Sequence, residues 1–447
     1  MRMKKLMSGV LAATMVLSMA LTGCGGNEES SGGKSTNAKK EEGKVFHIMA
    51  FNEEFKGFFE SYFAKKHDDG NYYVGDAKVV WTIVPNEGGA YQDALDRALL
   101  NQEDAAADEK VDMFLAEADY IAKYVKSDAT TDVQKMGVTD FSNAYKYTVE
   151  AASDDNGVVK GTSFQCCPAG LIYRRSIAKD VLGTDDPDEV QSKLDSWDKF
   201  DDVAEKCKKK GYYMTASDGE TYRTFSNNKE SAWVDEDNNL VIDSAIQSWM
   251  DQAETYAKNE YTILGDVWGE EKEQQMLDTG KTMCFFGPAW YYNFCMGNAM
   301  DTCKGDWGLC QGPQSFFWGG TWLLAATGTD NEKAVADTMN AFLNDEKICS
   351  KLVEKNQQFV NNQKVNEKFA SDPDYGNEFL GGQNDTALFV ELAKDIKFQN
   401  TSKYDQLCNE GIQQYYREYL KGEVTKEQAL DNFRKYIKEK YPNVNVE

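Results

Sequence analysis

Residues 280–292, GKTMCFFGPAWYY, and residues 317–326, FWGGTWLLAA, form the stretch that decides the fold. Each part predicts a buried strand, and the first strand runs into a helix that begins at Trp290. Trp290, Trp318 and Trp322 stand near Gly-Pro or Gly-Gly dipeptides, which interrupt regular strands and helices. Binding residues concentrate in loops at the ends of such elements. We therefore predict that these tryptophan rings belong to a binding site.

Toward the amino terminus, predicted strands alternate with predicted helices. The strands cover residues 45–51, 79–84 and 111–116, and each is followed by helical spacing of apolar side chains. This alternation is typical of βαβ units and of an α/β fold with a mostly parallel sheet. Such sheets bind ligands beyond the carboxyl ends of their strands. The predicted strand ends are residues 52–54, 86–91 and 117–120.

The rest of the chain extends the same α/β pattern. Residues 160–174 predict two short strands around a Pro-Ala-Gly turn, and residues 196–211 predict a helix with a serine cap. The acidic segment 235–239 lacks the glycine and the glutamate of a calcium loop, so it predicts a tight hairpin. Beyond the helix predicted over 331–343 the chain is largely helical, and Thr425 begins a capping box ahead of the last helix.

The amino terminus predicts export and anchoring. Residues 1–23 combine Arg and Lys with an apolar run that is short for a membrane span, as in a signal peptide. The run ends in Leu-Thr-Gly before Cys24, which is similar to the lipidation site of bacterial lipoproteins. Residues 24–44 are rich in Gly, Ser and charge, which indicates a flexible tether. The alternative is a plain secretory signal in which Cys24 is incidental.

The charge and the cysteines exclude several classes of function. The formal net charge is −25, and removal of the three positive charges of the signal segment leaves −28. Such a surface repels phosphate backbones, so we expect no nucleic-acid partner.

Ten cysteines and two histidines show no zinc spacing, so we predict no metal site. Most of the cysteines are interpreted as small buried apolar residues, although Cys303 and Cys310 could bridge across a turn.

An ordered set of short motifs resembles one known family. The set comprises the lipidation site at Cys24, Tyr173-Arg174, Leu182-Gly183, Pro187, Ser196-Trp197-Asp198-Lys199-Phe200, the Gly280-Lys281 strand that leads to Trp290, the Trp-Gly-Gly-x-Trp run at 318–322, and residues 422–430. Together they resemble the sugar-specific extracellular solute-binding proteins, family 1, of ATP-driven (ABC) importers. The resemblance covers nearly the whole chain after Cys24.

This resemblance implies a fold and a set of partners. Members have the two-lobe, periplasmic-binding-protein-like (type II) fold, with a hinge and a ligand cleft between the lobes. It implies one lobe built from residues 45–160 and 313–360 and another from residues 161–312 and 361–447. It also implies capture of a sugar or oligosaccharide, delivery to the permease subunits and their ATPase, and an extracytoplasmic protein held at the bacterial cell membrane by lipid on Cys24. We expect a monomer and no cofactor.

The candidate ligand-binding residues supply the chemistry that a sugar needs. Flat rings stack on the C–H faces of a sugar, and amides or carboxylates bind its hydroxyl groups. The weaker polar candidates are Glu54 and Glu87. The main candidates are Trp290, Trp318, Trp322, Tyr291, Tyr120, Trp233, Gly319, Gly320, Asn52, Glu53, Asp119 and Gln165.

Each candidate also has a simpler structural interpretation. Core packing could explain Trp322, and capping of helix amino termini could explain Glu53 and Asp119.

A lipid-anchored enzyme acting on glycosides is the second functional hypothesis, with Glu53 and Asp119 as its carboxylate pair. No triad motif, phosphate loop or dinucleotide-binding motif accompanies them. A sensor component that binds a solute is the third, and the sequence does not separate it from a transport protein.

Overall fold

The structure is a computed structural model, and it describes residues 43–446. These residues belong to one compact unit. The predicted signal segment, Cys24 and the tether up to residue 42 lie outside the described residues. The last two tether positions lie inside them, and the backbone N–H of Gly43 donates to the carbonyl of Asp330.

The strands form two separate sheets. They are β1 (Val45–Ala50), β2 (Lys65–Lys66), β3 (Tyr72–Val74), β4 (Ala77–Ile83), β5 (Met113–Glu117), β6 (Gly161–Ser163), β7 (Pro168–Arg174), β8 (Tyr213–Thr215), β9 (Thr282–Pro288), β10 (Trp307–Cys310), β11 (Phe316–Phe317) and β12 (Thr321–Ala325).

The helices cover these sheets. They are α1 (Glu54–Tyr62), α2 (Ala90–Leu100), α3 (Ile121–Val125), α4 (Lys146–Ala151), α5 (Arg175–Leu182), α6 (Pro187–Leu194), α7 (Trp197–Lys209), α8 (Tyr222–Ser226), α9 (Ser244–Asn259), α10 (Glu270–Met276), α11 (Trp290–Phe294), α12 (Gly297–Thr302), α13 (Glu332–Asn344), α14 (Glu346–Asn356), α15 (Gln363–Ala370), α16 (Asp385–Leu392), α17 (Asp405–Leu420) and α18 (Lys426–Lys440).

The first sheet has seven strands in the order β2-β3-β4-β1-β5-β12-β6. Its centre is parallel, because β1 pairs in parallel with both β4 and β5. Its flanks are antiparallel, since β3 joins β4 through a short turn and β12 returns antiparallel to β5 and β6. The predicted parallel sheet is therefore confirmed at the centre and is wrong at the flanks. Tight turns and a returning strand favour antiparallel pairing there.

The second sheet has the order β10-β7-β9-β8, with β11 also pairing with β7. The predicted turn at Pro-Ala-Gly is wrong, because Pro168 is the first residue of β7 and the strand continues to Arg174. A proline is tolerated at the start of a strand. Gly170 is needed inside β7 because an added Cβ would lie 2.7 Å from the carbonyl oxygen of Cys310.

Several local predictions are confirmed. The Ser196 hydroxyl caps α7 by accepting from the N–H of Lys199, and Thr425 and Gln428 form the capping box of α18. The acidic segment 235–239 turns between Val234 and Leu240, which form an antiparallel bridge. Seven of the nine described cysteines are buried and all nine are free. A Cys303–Cys310 bridge is therefore wrong, and the Cys303 thiol donates to the Met276 carbonyl instead.

Each sheet has its own hydrophobic core. Aromatic side chains of α1 and α13, such as Phe55 and Phe342, pack against the first sheet with ring centroids 4.8 Å apart. Phe200 of α7 packs against β9 in the second core. A third, smaller core joins α9 to α17 and α18 around Trp249 and Phe433. The two cores that surround the sheets divide the α/β fold into two sheet-centred halves.

Two neighbouring connections between strands, residues 164–167 and 318–320, pass from one sheet to the other, and we call them the crossing segments. The first connects β6 with β7, and the second connects β11 with β12. They lie side by side, because the N–H of Trp318 donates to the Cys167 carbonyl over 3.1 Å. The predicted lobe boundaries assign β6 to the second lobe and β11 to the first. In the structure, β6 pairs within the first sheet and β11 pairs within the second.

We predict that Gly320→Ala destabilises the protein by about 1–3 kcal/mol, the usual cost of a strained backbone conformation. Gly320 has a φ of 111°, and an added Cβ would lie 3.0 Å from the Trp322 ring. Urea unfolding measures the loss.

The matched control is Gly57→Ala inside α1, where an added Cβ meets nothing within 4 Å. It should stabilise the protein by about 0.5–1 kcal/mol, because alanine favours a helix. Equal stability changes for the two variants would contradict the strain assigned to Gly320.

Candidate functional site

A cavity of about 760 Å³ lies between the two sheets. One wall follows the carboxyl ends of β1, β4 and β5, which is where ligands bind in α/β sheets. The opposite wall comes from α8, α11, α17 and the loop before α10. The crossing segments form the floor through Gln165 and residues 318–320. The cavity therefore brings together the predicted strand ends and the predicted tryptophan loops.

The opposite wall carries a cluster of aromatic rings. Trp318 packs against Trp290 and Trp268, with ring centroids 5.5 and 5.4 Å apart. The Trp290 Nε1–H donates to the Trp318 carbonyl over 3.2 Å and so holds the two residues together. Trp268 and Phe294 extend the cluster toward solvent, with 54% and 61% of their surfaces exposed. These rings offer flat apolar faces to a ligand.

Gly319 and Gly320 place Trp318 in this cluster. Both have positive φ angles, 73° and 111°, which glycine adopts without strain. An added Cβ on Gly319 would lie 3.4 Å from the Trp290 ring. The two glycines therefore turn the chain from the second sheet to the first while the tryptophan rings stay close together.

Asp119 and Arg223 form an ion pair between the two walls. The guanidinium donates to both carboxylate oxygens, with 2.7 Å from Nη1 to Oδ1. Burial alone would raise the pKa of Asp119, but the Arg223 charge and its hydrogen bonds hold that pKa below the ordinary value. Asn409 also donates to Asp119, over 3.5 Å. Asp119 is therefore an ionised group that joins the end of β5 to α8.

Glu117 lies beside this ion pair, and its carboxyl group is protonated more readily than that of Asp119. Burial, followed by the neighbouring Asp119 charge, raises the pKa of Glu117 well above its ordinary value. Its carboxylate accepts the backbone N–H of Asp119 over 2.8 Å. Two carboxyl groups in one wall thus differ in their readiness to ionise because only Asp119 binds Arg223 directly.

Two more carboxyl groups are held by partners around the cavity. Glu54, at the start of α1, accepts from the side-chain amides of Gln165 and Gln358, each over 3.2 Å. Burial raises the pKa of Glu54 to about 7 in spite of these hydrogen bonds. Glu220 lies 3.1 Å from Lys272 in a buried ion pair behind the aromatic cluster. Among residues 43–446, no group of three or more metal-binding side chains comes together.

Eight of the twelve main candidate residues line the cavity, and both weaker candidates, Glu54 and Glu87, line it as well. Their ligand contacts remain predictions. The eight are Asn52, Asp119, Tyr120, Gln165, Trp290, Trp318, Gly319 and Gly320.

The four other candidates lie elsewhere. Trp322 is 1% exposed in the first core, where its Nε1–H donates to the Thr148 carbonyl, because alternation along β12 turns it away from the cavity. Tyr291 is buried behind Trp318, with ring centroids 5.8 Å apart. Glu53 is 74% exposed beside Lys56 and its side chain does not cap α1, whereas the Asn52 side chain accepts the backbone N–H of Glu54. Trp233 lies in the third core and donates to Asn409, which contacts Asp119.

Sequence reasoning missed several residues of the cavity. Trp268 stands between Gly265 and Gly269, the same kind of signal that selected Trp290, and this signal could have identified it. Arg223, Glu117 and Glu410 carry no comparable signal, because nothing local distinguishes them among 74 acidic and 49 basic residues.

Comparison with known proteins identifies relatives of this chain. A sequence model described as bacterial extracellular solute-binding protein matches residues 63–376. A crystal structure of an extracellular solute-binding protein of family 1 aligns with a TM-score of 0.70 at 16% identity, over 88% of this chain and 99% of that one. A search of the curated proteins finds no significant match. Among the described residues, no helix is long and apolar enough to cross a membrane.

Two further similar structures come from ABC transporters of bifidobacteria. One is the binding protein from B. animalis subsp. lactis Bl-04 with β-1,6-galactobiose, with a TM-score of 0.65 at 15% identity over 89% of this chain and 98% of that one. The other is the galacto-N-biose/lacto-N-biose I-binding protein from Bifidobacterium longum with lacto-N-biose, with a TM-score of 0.66 at 12% identity over 91% of this chain and 100% of that one. At these identities the comparison establishes the shared periplasmic-binding-protein-like fold.

We predict that Glu54→Gln raises stability more at about pH 8 than at about pH 5. The unfolded carboxyl ionises near 4.5 whereas the folded one keeps its proton up to about 7. The free energy of unfolding therefore falls as the pH rises from 4.5 to about 7, by about 3 kcal/mol in total. Glutamine removes this loss. Urea unfolding at several pH values measures the difference between the variant and the wild type.

Glu53→Gln is the matched control, since its side chain is 74% exposed one residue away. It should leave the pH dependence of stability as in the wild type. An equal stability difference between Glu54→Gln and wild type at both pH values would show that Glu54 is not held protonated by burial.

Proposed function

Because this chain belongs to the family of bacterial extracellular solute-binding proteins, we propose that it captures a carbohydrate in the cavity between its sheets and delivers it to an ABC-type importer. The observation that carries the proposal is the aromatic cluster of Trp268, Trp290 and Trp318 facing the polar strand ends. A sugar needs both surfaces, rings for its C–H faces and hydrogen-bonding groups for its hydroxyls.

The size of the cavity supports a small-molecule ligand. Ligand pockets commonly measure roughly 300–1,000 Å³, and this cavity measures about 760 Å³. Two of the similar structures were solved with the disaccharides galactobiose and lacto-N-biose. The exposed rings of Trp268 and Phe294 extend the cluster beyond Trp290 and favour a ligand of more than one sugar unit.

Capture would use closure of the two sheet-centred halves over the ligand. The crossing segments 164–167 and 318–320 are the candidate hinge, because they connect the two sheets and lie at the floor of the cavity. Closure would form a surface that the permease subunits and their ATPase distinguish from the open, empty protein. A sensor component would use the same motion, and the identity of the neighbouring genes would separate the two roles.

The enzyme alternative has less support. Its predicted carboxylate pair is Glu53 and Asp119. Glu53 points to solvent outside the cavity, and Asp119 is occupied by Arg223. Family membership favours binding without turnover.

We predict that a sugar of the correct class raises the melting temperature. A ligand at about a hundred times its Kd adds about 2.7 kcal/mol to stability, or roughly 2–4 °C in a domain of ordinary size. Trp290→Ala should abolish this shift because it removes the ring that holds Trp318. A thermal-shift screen against mono- and oligosaccharides measures it, and chromatography after a day shows whether the sugar is intact.

Trp197→Ala is the matched control, since this ring stacks on Phe225 with centroids 4.6 Å apart and does not line the cavity. It should lower the melting temperature but keep the sugar-induced shift. Loss of the shift in both variants would remove the evidence for a role of Trp290 in binding. Consumption of the sugar would favour an enzyme.

The proposed location is extracytoplasmic, at the cell membrane, through lipid on Cys24. The support is the apolar run and the Leu-Thr-Gly-Cys sequence of residues 21–24. We predict that a bacterial host incorporates labelled palmitate into the wild-type protein and not into Cys24→Ser. Cys303→Ser is the control for the loss of a cysteine. Labelling that persists in Cys24→Ser would contradict the anchor.

A further inference from the structure

We infer that the captured carbohydrate carries a basic amino group. This inference rests on the proposed function and adds the charge of the ligand to it. The first observation is the charge of the cavity. Arg223 is the one basic side chain among the residues that line the cavity within the described part of the chain. Seven acidic side chains line it, namely Glu54, Glu87, Glu117, Asp119, Glu220, Asp266 and Glu410.

Protein cations neutralise three of these seven carboxylates. Arg223 binds Asp119 with both of its terminal nitrogens. Lys272 lies 3.1 Å from Glu220, and Arg417 lies 3.0 Å from Asp266. Lys272 and Arg417 stand behind the cavity wall. Four carboxyl groups, Glu54, Glu87, Glu117 and Glu410, therefore line the cavity without an ion pair to a protein cation.

Two of these four carboxyl groups, Glu117 and Glu410, are held by neutral partners. Glu117 accepts a backbone N–H at the end of β5, and Glu410 accepts the Gln406 amide on α17 over 3.0 Å. The positive charge of the Arg223 guanidinium acts on both and favours their ionised form. That guanidinium is already bound to Asp119, so it does not pair with either of them. A cation of the ligand between β5 and α17 would supply the missing partner.

Two independent features of the cavity also favour an ammonium group. Tyr120 is 1% exposed and lines the same wall as Glu117, and its hydroxyl has no hydrogen-bond partner. This oxygen can accept a hydrogen bond from an ammonium group. The exposed face of Trp268 supplies the second feature, because indole rings attract cations through the electrons of the ring.

A neutral sugar would suit this cavity less well. Its hydroxyl groups can donate to a few of these carboxyl groups, but closure over a neutral ligand would bury the four without a counter-charge, which disfavours their ionised form. An ammonium group brings three donors and a positive charge to the same place. Hydrogen bonds between charged groups are roughly twice as strong as those between neutral ones. An anionic sugar would be repelled by the same carboxylates.

The test compares ligands that differ only at one position of the sugar. Calorimetry with the purified protein uses gluco and galacto disaccharides that carry an amine, an acetamide or a hydroxyl at carbon 2, with spermidine as a cation that is not a sugar. We expect the amine to bind about tenfold to a hundredfold more tightly than its acetamide and hydroxyl partners. Added salt should weaken the binding of the amine and leave the binding of the neutral sugars nearly unchanged.

Charge-removing variants locate the amino group. Glu410→Gln and Glu117→Gln should each weaken binding of the amine about tenfold more than they weaken binding of the hydroxyl analogue. Glu418→Gln on the same helix, outside the cavity, is the matched control. The salt dependence of the wild-type protein tests the charge of the bound ligand without any variant, so a variant that does not fold leaves the inference testable.

The outcomes separate this inference from the proposed function. A neutral sugar that binds as tightly as its amine analogue would overturn the inference and leave carbohydrate capture standing. Binding of spermidine without any sugar would overturn carbohydrate capture. Absence of binding by all of these ligands would overturn both.

Discussion

The site depends on the two crossing segments being held side by side. The N–H of Trp318 donates to the Cys167 carbonyl, and the N–H of Cys166 donates to the Phe359 carbonyl over 2.8 Å. These bonds fix the floor of the cavity where both sheets begin or end a strand. Because the cavity-facing edge of the first sheet and the aromatic cluster of the second meet at this floor, neither sheet alone contains the candidate site. A small rotation here would change the width of the cavity while each hydrophobic core stays packed.

Electrostatics divides the cavity into two chemically different sides. The second-sheet side is aromatic, with Trp290 and Trp318 locked by a hydrogen bond and supported from behind by Tyr291 and the Lys272–Glu220 pair. The first-sheet side is acidic. Burial raises the pKa of Glu54 and Glu117, whereas Arg223 holds the pKa of Asp119 below its ordinary value in spite of burial. Such a division suits an amphipathic ligand that has an apolar face and a polar edge. It also explains why several of these side chains are buried although they are polar.

Much of the fold and part of the site could be predicted from the sequence. Local rules of periodicity and chain breaking account for the central strands, the cap at Ser196, the capping box at Thr425, the helix start at Trp290 and the loop position of Trp318. Trp322 takes its alternative, core packing, because the alternation of β12 directs its ring into the core although a Gly-Gly break lies beside it. The turn predicted at Pro168 was also wrong, because burial within the second sheet overrides the local preference of Pro-Ala-Gly for a turn.

The sequence by itself determined the α/β class, the edge of the first sheet that faces the cavity and the glycine breaks that bring tryptophans to the same cavity. These features depend on residues close together in the chain, whose spacing is visible without coordinates. Only the tertiary structure decided which polar groups surround the cavity. Asp119 and Arg223 are 104 residues apart, and Asn409 lies 290 residues from Asp119. Contacts of that kind arise from the packing of two sheets and α17 around one space, and no local pattern encodes them.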